Sequence, residues 1–206
     1  SGTGVYNDGS IEGAAVELKA HGNIYALAIN NKGSLRATGT VTNGGRVFLR
    51  AAGGAVHQSG SVQAVRSSVG SGGRVLIEAA YARVDGAIRA QGGEVRVSAR
   101  DEVEVRGSID VSDTATKGGD VVIEAGRIAM EEGSLVDATG GTGGGNVRIG
   151  GGLQGKDGSI RNADQLVIHD GASVRADAVG SGRGGSIILW ADGDTTFDGT
   201  LSARGI

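Results

Sequence analysis

The 206-residue sequence has no cysteine and no proline, and only one tryptophan, two phenylalanines and three tyrosines. Without cysteine there is neither a disulfide framework nor a thiolate metal site. Without proline, chain reversal must rely on glycine, and 41 glycines are present, well above the roughly 7% of an average chain. So few rings mean that any core is built from Val, Ile, Leu and Ala, small side chains suited to a thin interior. No apolar run approaches the ~18 residues of a membrane-spanning helix, and the opening SGTGVYNDGS carries no basic stretch followed by an apolar one. Neither membrane insertion nor a signal peptide is therefore expected within this sequence. The formal net charge is -3, with Lys and Arg scattered rather than clustered. That lacks the electrostatic footprint of a nucleic-acid binder, and no such partner is expected.

What the chain does have is internal repetition, the feature to read before any local propensity. One motif, Gly-Gly-x-apolar-x-apolar-x-Ala, occurs as GGRVFLRA from Gly44, GGRVLIEA from Gly72, GGEVRVSA from Gly92, GGDVVIEA from Gly118 and GGSIILWA from Gly184. GGNVRIGG from Gly144 and GAAVELKA from Gly13 are weaker copies. The first apolar positions, Val16, Val47, Val75, Val95, Val121, Val147 and Ile187, are spaced by 31, 28, 20, 26, 26 and 40 residues. A second motif follows each copy, as in GSLRA from Gly33, GSVQA from Gly60, GAIRA from Gly86 and GTLSA from Gly199. Between the two lies a short apolar group such as Val103 and Val105, Ile128 and Met130, or Leu166 to Ile168.

Apolar residues that recur every second position specify strands, whose successive side chains face opposite sides. The first motif places Val16, Val47, Val75, Val95, Val121, Val147 and Ile187 in one inward column and Leu18, Leu49, Ile77, Val97, Ile123, Ile149 and Leu189 in the next. The second motif gives Ile11, Leu35, Val62, Ile88, Ile109, Val136, Val174 and Leu201, followed two residues later by mostly Ala at a corner. Equivalent residues stack this way when each strand pairs in parallel with the same strand one coil later, so the fold is expected to be an all-β, single-stranded parallel β-helix of about eight coils with three short strands in each. A helix is excluded by the period and by the Gly pairs, which would cost roughly 1 kcal/mol per Gly inside a helix. One domain over residues 1–206 is expected, with an insertion outside the coils at about 150–162, in the 40-residue repeat.

The stretch GGNVRIGGGLQGKDGSIRNADQLVIHDGASVRADA, followed by GRGGSIILWADGDTTFDGTLSARG, and the earlier NIYALAINNKGSLRATG and GGRVFLRAAGG, resemble the filamentous haemagglutinin-like exoproteins of two-partner secretion systems in Gram-negative bacteria. The resemblance spans most of the chain. It implies a right-handed β-helix, export to the medium or cell surface through an outer-membrane transporter barrel, and a role in adhesion to a receptor or glycan on another cell. The secretion domain of that family carries Asn-Pro-Asn motifs, which a proline-free chain cannot contain, so a segment downstream of that domain is expected.

Candidate chemistry is sparse. Gly180, Gly182 and Gly185 spell G-x-G-x-x-G, but SIILW follows as a strand where a dinucleotide site needs a helix N-terminus, so a turn between coils is expected. His57 and His169 lie about four coils apart and cannot share a metal; these two and His21 read as solvated turn residues. Asp192, Asp194 and Asp198 suggest a calcium loop without the EF-hand order of ligands and glycine. No G-x-S-x-G occurs. Asp110 and Asp137 fall one coil apart in the outward column Glu12, Arg36, Gln63, Arg89, Asp110, Asp137, Arg175, Ser202, a spacing that could serve a carboxylate pair in a carbohydrate-active or carbohydrate-binding β-helix. The plainer reading is an exposed charge ladder worth a fraction of a kcal/mol per pair. No catalytic, cofactor-binding or metal-binding residue is therefore assigned, and the chain is expected to be a structural and adhesive shaft rather than an enzyme. Phe48, Leu76, Val122, Ile188 and Trp190 point outward from the first motif, and the insertion is expected to cover part of that face.

Overall fold

The computed structural model describes residues 4–21, 27–68, 70 and 72–206. Residues Asn23 to Ala26 of the stretch beginning NIYAL lie outside them. The described chain is all β, apart from one 3-10 turn at Leu153–Gly155. Every pairing of named strands is parallel, and each joins one coil to the next. The second motif forms its own eight-stranded sheet, from Ser10–Gly13 through Ser34–Ala37, Ser61–Ala64, Ala87–Arg89, Ser108–Asp110, Leu135–Asp137 and Ser173–Arg175 to Thr200–Ser202. Eight strands separated by seven intervals make about seven full turns, or a stack of ~34 Å at ~4.8 Å per coil.

The registers match the columns read from the sequence. Val95 lies between Val75 and Val121, and Ile123 between Val97 and Ile149. Ile109 lies between Ile88 and Val136. All of these are fully buried, whereas Ile11 and Leu201, last in their column at either end, are 37% and 42% exposed. In three coils the first motif (the first face) and the short apolar group after it (the third face, the second motif being the second) run together as one long strand, Arg46–Gln58, Arg74–Val84 and Glu94–Val105. The register shifts at the bend, between Ala51 and Ala55 and again between Ala99 and Glu102.

Two glycine columns set the corners, and the reason is close approach of backbone. A Cβ on Gly60, Gly86 or Gly107 would land on the carbonyl oxygen of Gly33, Gly60 or Gly86 in the preceding coil. One on Gly93, Gly119, Gly145 or Gly185 would meet the carbonyl of Gly73, Gly93, Gly119 or Gly145 in the same way. Each glycine makes room for the next, which is why both motifs open on one.

The coil from Val75 to Val95 is only 20 residues long, and its tight corner at Gly92 leaves the loops on either side free to meet across it. Arg66 from one loop donates to the carboxylate of Asp113 in the other and, at 3.1 Å, to the Thr116 hydroxyl. Asp113 also accepts from the backbone of Ala115 (2.9 Å) and Thr116 (3.2 Å). Burial alone would raise its pKa. The backbone and hydroxyl donors, together with Arg66, outweigh that and hold it below the usual carboxylate range.

Candidate ligand groove on the third face

With the inward columns committed to the core, chemistry must come from the outward ones. On the first face, Phe48, Leu76, Ile188 and Trp190 are half-buried and Val122 is only 2% exposed. The segment between Ile149 and Ala163 lies against this face. Ile160 within it is buried. Arg96 holds Glu124 (2.8 Å) and the Ser159 carbonyl (2.9 Å), the Arg161 amide donates to Glu124 (2.9 Å), and Arg148 meets Asp157 (3.2 Å). Trp190 packs close to Gly151 and Gly155 and donates to Asp192 at 2.8 Å.

On the second face the charge ladder is present: Arg36 bonds Glu12 (2.7 Å) and Gln63 (3.1 Å), and Arg89 meets Asp110 (3.5 Å). Asp110 and Asp137 are direct register partners. Each spends a carboxylate oxygen on its own turn, Asp110 on the Ser112 amide (2.9 Å) and hydroxyl (2.6 Å), Asp137 on the Thr139 amide (2.8 Å).

The remaining motif residues are dispersed. Gly180, Gly182 and Gly185 occupy the loop that leads into the strand Ser186–Leu189. Asp192 and Asp194 lie along the strand Ala191–Phe197, with Asp192 bonded to Asn162 (3.0 Å), while Asp198 follows that strand. His169 lies 3.9 Å from Glu131. His57 departs from its expected place: it is a strand residue, registered between Asn30 and Arg83, because the third-face strand runs on to Gln58.

That position puts His57 at the edge of a shallow groove of about 300 Å³, lined mainly by apolar atoms of Leu27, Ala55, Ala82 and Tyr81 and bordered by His57, Arg83, Glu102 and Glu104. Local sequence explains the hollow. Leu27, Ala55, Tyr81 and Glu102 form one outward column, and the register shifts beside them bend the strands. Ala55, small and next to the ring, leaves the space. Tyr81 is 38% exposed.

The rim is tied together by ion pairs: Arg83 with Asp85 (2.8 Å) and Glu104 (3.7 Å), Arg106 with Glu104 (2.5 Å), Arg127 with Glu102 (3.0 Å) and Arg100 with Asp101 (2.8 Å). His57 bonds Asp85 at 2.7 Å. Burial would raise Asp85, but the bonds from Arg83 and His57 outweigh it and the carboxyl sits below its ordinary range. Asp101 is lowered chiefly by Arg100 and further by Tyr81.

One inner feature went unread in the sequence. The column that holds Val84, Val105, Met130 and Ile168 begins with Asn7, Asn31 and Gln58, all buried. Asn7 donates to Asn31 (2.7 Å) and Asn31 to Gln58 (2.6 Å), while the buried Gln58 Nε2 has no hydrogen-bond partner among the described residues. The available signal was position: each stands two residues before the glycine of a second motif.

No family model and no curated protein matches the chain. Among solved structures, the crystal structure of the HMW1 secretion domain from Haemophilus influenzae is similar, with a TM-score of 0.68 at 20% sequence identity. The likeness covers 93% of this chain and 55% of that one, so the chain spans about half the length of the structure it matches, and what the two share at this identity is the β-helical fold.

Proposed function

We propose that this chain is a β-helical shaft segment of a large secreted or surface-exposed bacterial exoprotein, exported through an outer-membrane barrel partner and serving attachment to cells or surfaces. The observation that carries this reading is the stack itself, about seven turns of parallel-paired coils with mostly aliphatic inner columns and ion-paired outer ones. Such a body extends in one direction and displays its exterior along its length. The likeness to the HMW1 secretion domain from Haemophilus influenzae adds support for the export route. Placement downstream of a secretion domain belongs to the same proposal and rests on the lack of proline, hence of Asn-Pro-Asn motifs. A structural rather than enzymatic role is supported by the way Asp110 and Asp137 are used, each bonded to its own turn.

Export tests the core of the proposal. Fused behind a two-partner secretion domain and co-expressed with its barrel, the chain should reach the medium folded and protease-resistant; retention in the periplasm would refute the shaft reading. Export with a signal peptide and barrel alone would overturn the downstream placement. Beads coated with the purified chain should attach saturably to cell monolayers, and attachment no better than with albumin-coated beads would remove the adhesive role. Release of reducing sugar from a glycan panel, abolished in an Asp110→Asn, Asp137→Asn double variant, would make the chain an enzyme.

A further inference from the structure

We propose that the groove at Tyr81 is a binding subsite for an uncharged saccharide. This rests on the reading of the rod as a surface that meets other molecules, and it names the ligand class. Three observations converge. The first is the ring: Tyr81 is 38% exposed and lines the groove beside its register partner Ala55. A half-exposed ring offers its π-face to the C–H face of a pyranose, and a tyrosine has only two side-chain torsions to order. The second is size. About 300 Å³ stands at the lower bound of small-molecule sites, room for one or two sugar rings rather than a folded partner.

The third is electrostatic, and it decides the ligand's charge. In and around the groove, Arg83, Arg100, Arg106 and Arg127 stand against Asp85, Asp101, Glu102 and Glu104, each cation within 3.0 Å of a carboxylate. Four positive groups cancel four negative ones. A sulfated or sialylated glycan would meet a carboxylate beside every one of these guanidinium groups, so its charge would find no unpaired cation among them. A neutral sugar instead finds planar groups already immobilised by their pairs, with spare N–H donors and oxygen acceptors for its hydroxyls. His57, held against Asp85 at 2.7 Å, adds a second flat side chain beside the ring.

The test uses the purified chain and three neutral disaccharides, lactose, cellobiose and N,N′-diacetylchitobiose, with sialyllactose and a sulfated disaccharide as charged contrasts. Resonances of Tyr81, Ala55, Ala82 and His57 are followed by NMR titration. At least one neutral disaccharide should give saturable shifts confined to these residues. Tyr81→Ala should weaken binding by roughly tenfold or more, Tyr81→Phe by no more than about threefold, and Ala55→Trp, which fills the groove, should abolish it. Both Ala55 and Tyr81 point out of the coil, so melting temperatures report whether a variant has lost its fold. If Tyr81→Ala fails to fold, Ala55→Trp and Tyr81→Phe decide alone. No shifts with any neutral sugar, binding undiminished by Ala55→Trp, or tighter binding of a charged probe would each overturn the proposal. Export and cell attachment are read separately, so their survival alongside a silent groove would sink the subsite and leave the shaft standing.

Discussion

One inner column of this solenoid is built in two chemistries. Toward the N-terminal end it is Asn7, Asn31 and Gln58, linked amide to amide; beyond Gln58 it is Val84, Val105, Met130 and Ile168. The backbone hardly distinguishes them, since the same parallel register runs through both halves. What differs is how each half tolerates error. An aliphatic column loses only the contacts of the residue removed. An amide ladder is satisfied only if all its members are present, because a lone buried amide keeps its desolvation cost without its bond.

The largest loss is expected in a neighbouring column that is aliphatic throughout, the first-face column that holds Val97, Ile123 and Ile149. Ile123, fully buried between Val97 and Ile149, is expected to lose about 2 to 5 kcal/mol on Ile123→Ala through transfer and cavity terms. Guanidinium denaturation measures this, and a loss below about 1 kcal/mol would contradict the stacking register. The amide half sharpens the contrast. Asn31→Leu strands the Asn7 donor and the Gln58 acceptor, and is expected to cost on the order of 2 to 4 kcal/mol. The triple change Asn7→Val, Asn31→Leu, Gln58→Leu removes both partners of each bond and should be less destabilising than the single one. The reverse order would mean that the ladder is not acting as a unit.

A smaller effect is set by pH. Asp177, 3% exposed, accepts from the Ser202 hydroxyl and the Arg204 amide, both at 2.6 Å, and ties the last second-face strand to the coil before it. Burial opposes its ionisation, yet these donors and the Arg204 guanidinium win, and its pKa is lowered to about 2. Because the folded pKa lies below the unfolded one, the stabilisation is present above the ordinary value of 3.8 and is lost as pH falls through about 2. The gap between wild type and Asp177→Asn should be on the order of 1 to 2 kcal/mol at pH 7 and should close between about pH 4 and pH 2. A gap independent of pH in chemical denaturation would assign Asp177 a packing role instead. Smallest of all, Lys156→Ala, in the segment outside the coils, should stay within about 0.5 kcal/mol.

The sequence revealed the fold because the core is written in period two and repeated. Val75, Val95 and Val121 could be placed in one column from spacing alone, although their coils differ in length, since the glycines that begin each motif reset the register. Asn7, Asn31 and Gln58 escaped because polar residues were assigned to the exterior by type, and only their distance from the next glycine marks them as inward. His57 was placed in a turn for the same reason, its adjacency to a motif glycine outweighing the alternation of AVHQ. The groove was the least legible part. Tyr81 becomes significant only when Ala55, one coil away, leaves space beside it and when Arg83 and Glu104 are known to be neighbours. Those are relations between coils, set by bends in the long strands that periodicity does not record.

The short coil between Val75 and Val95 has a mechanical consequence. In a parallel stack the bonds between coils run along the axis, so tension applied at the two ends loads the interfaces in series while the bonds within each interface share it. Such a rod yields one interface at a time, and the weakest sets its strength. Arg66 and Asp113 belong to loops on either side of the 20-residue coil, so their ion pair spans two interfaces together and acts as a brace where the corner has least backbone of its own. Pulled from both ends, the segment should hold at this waist and peel from its outermost turns.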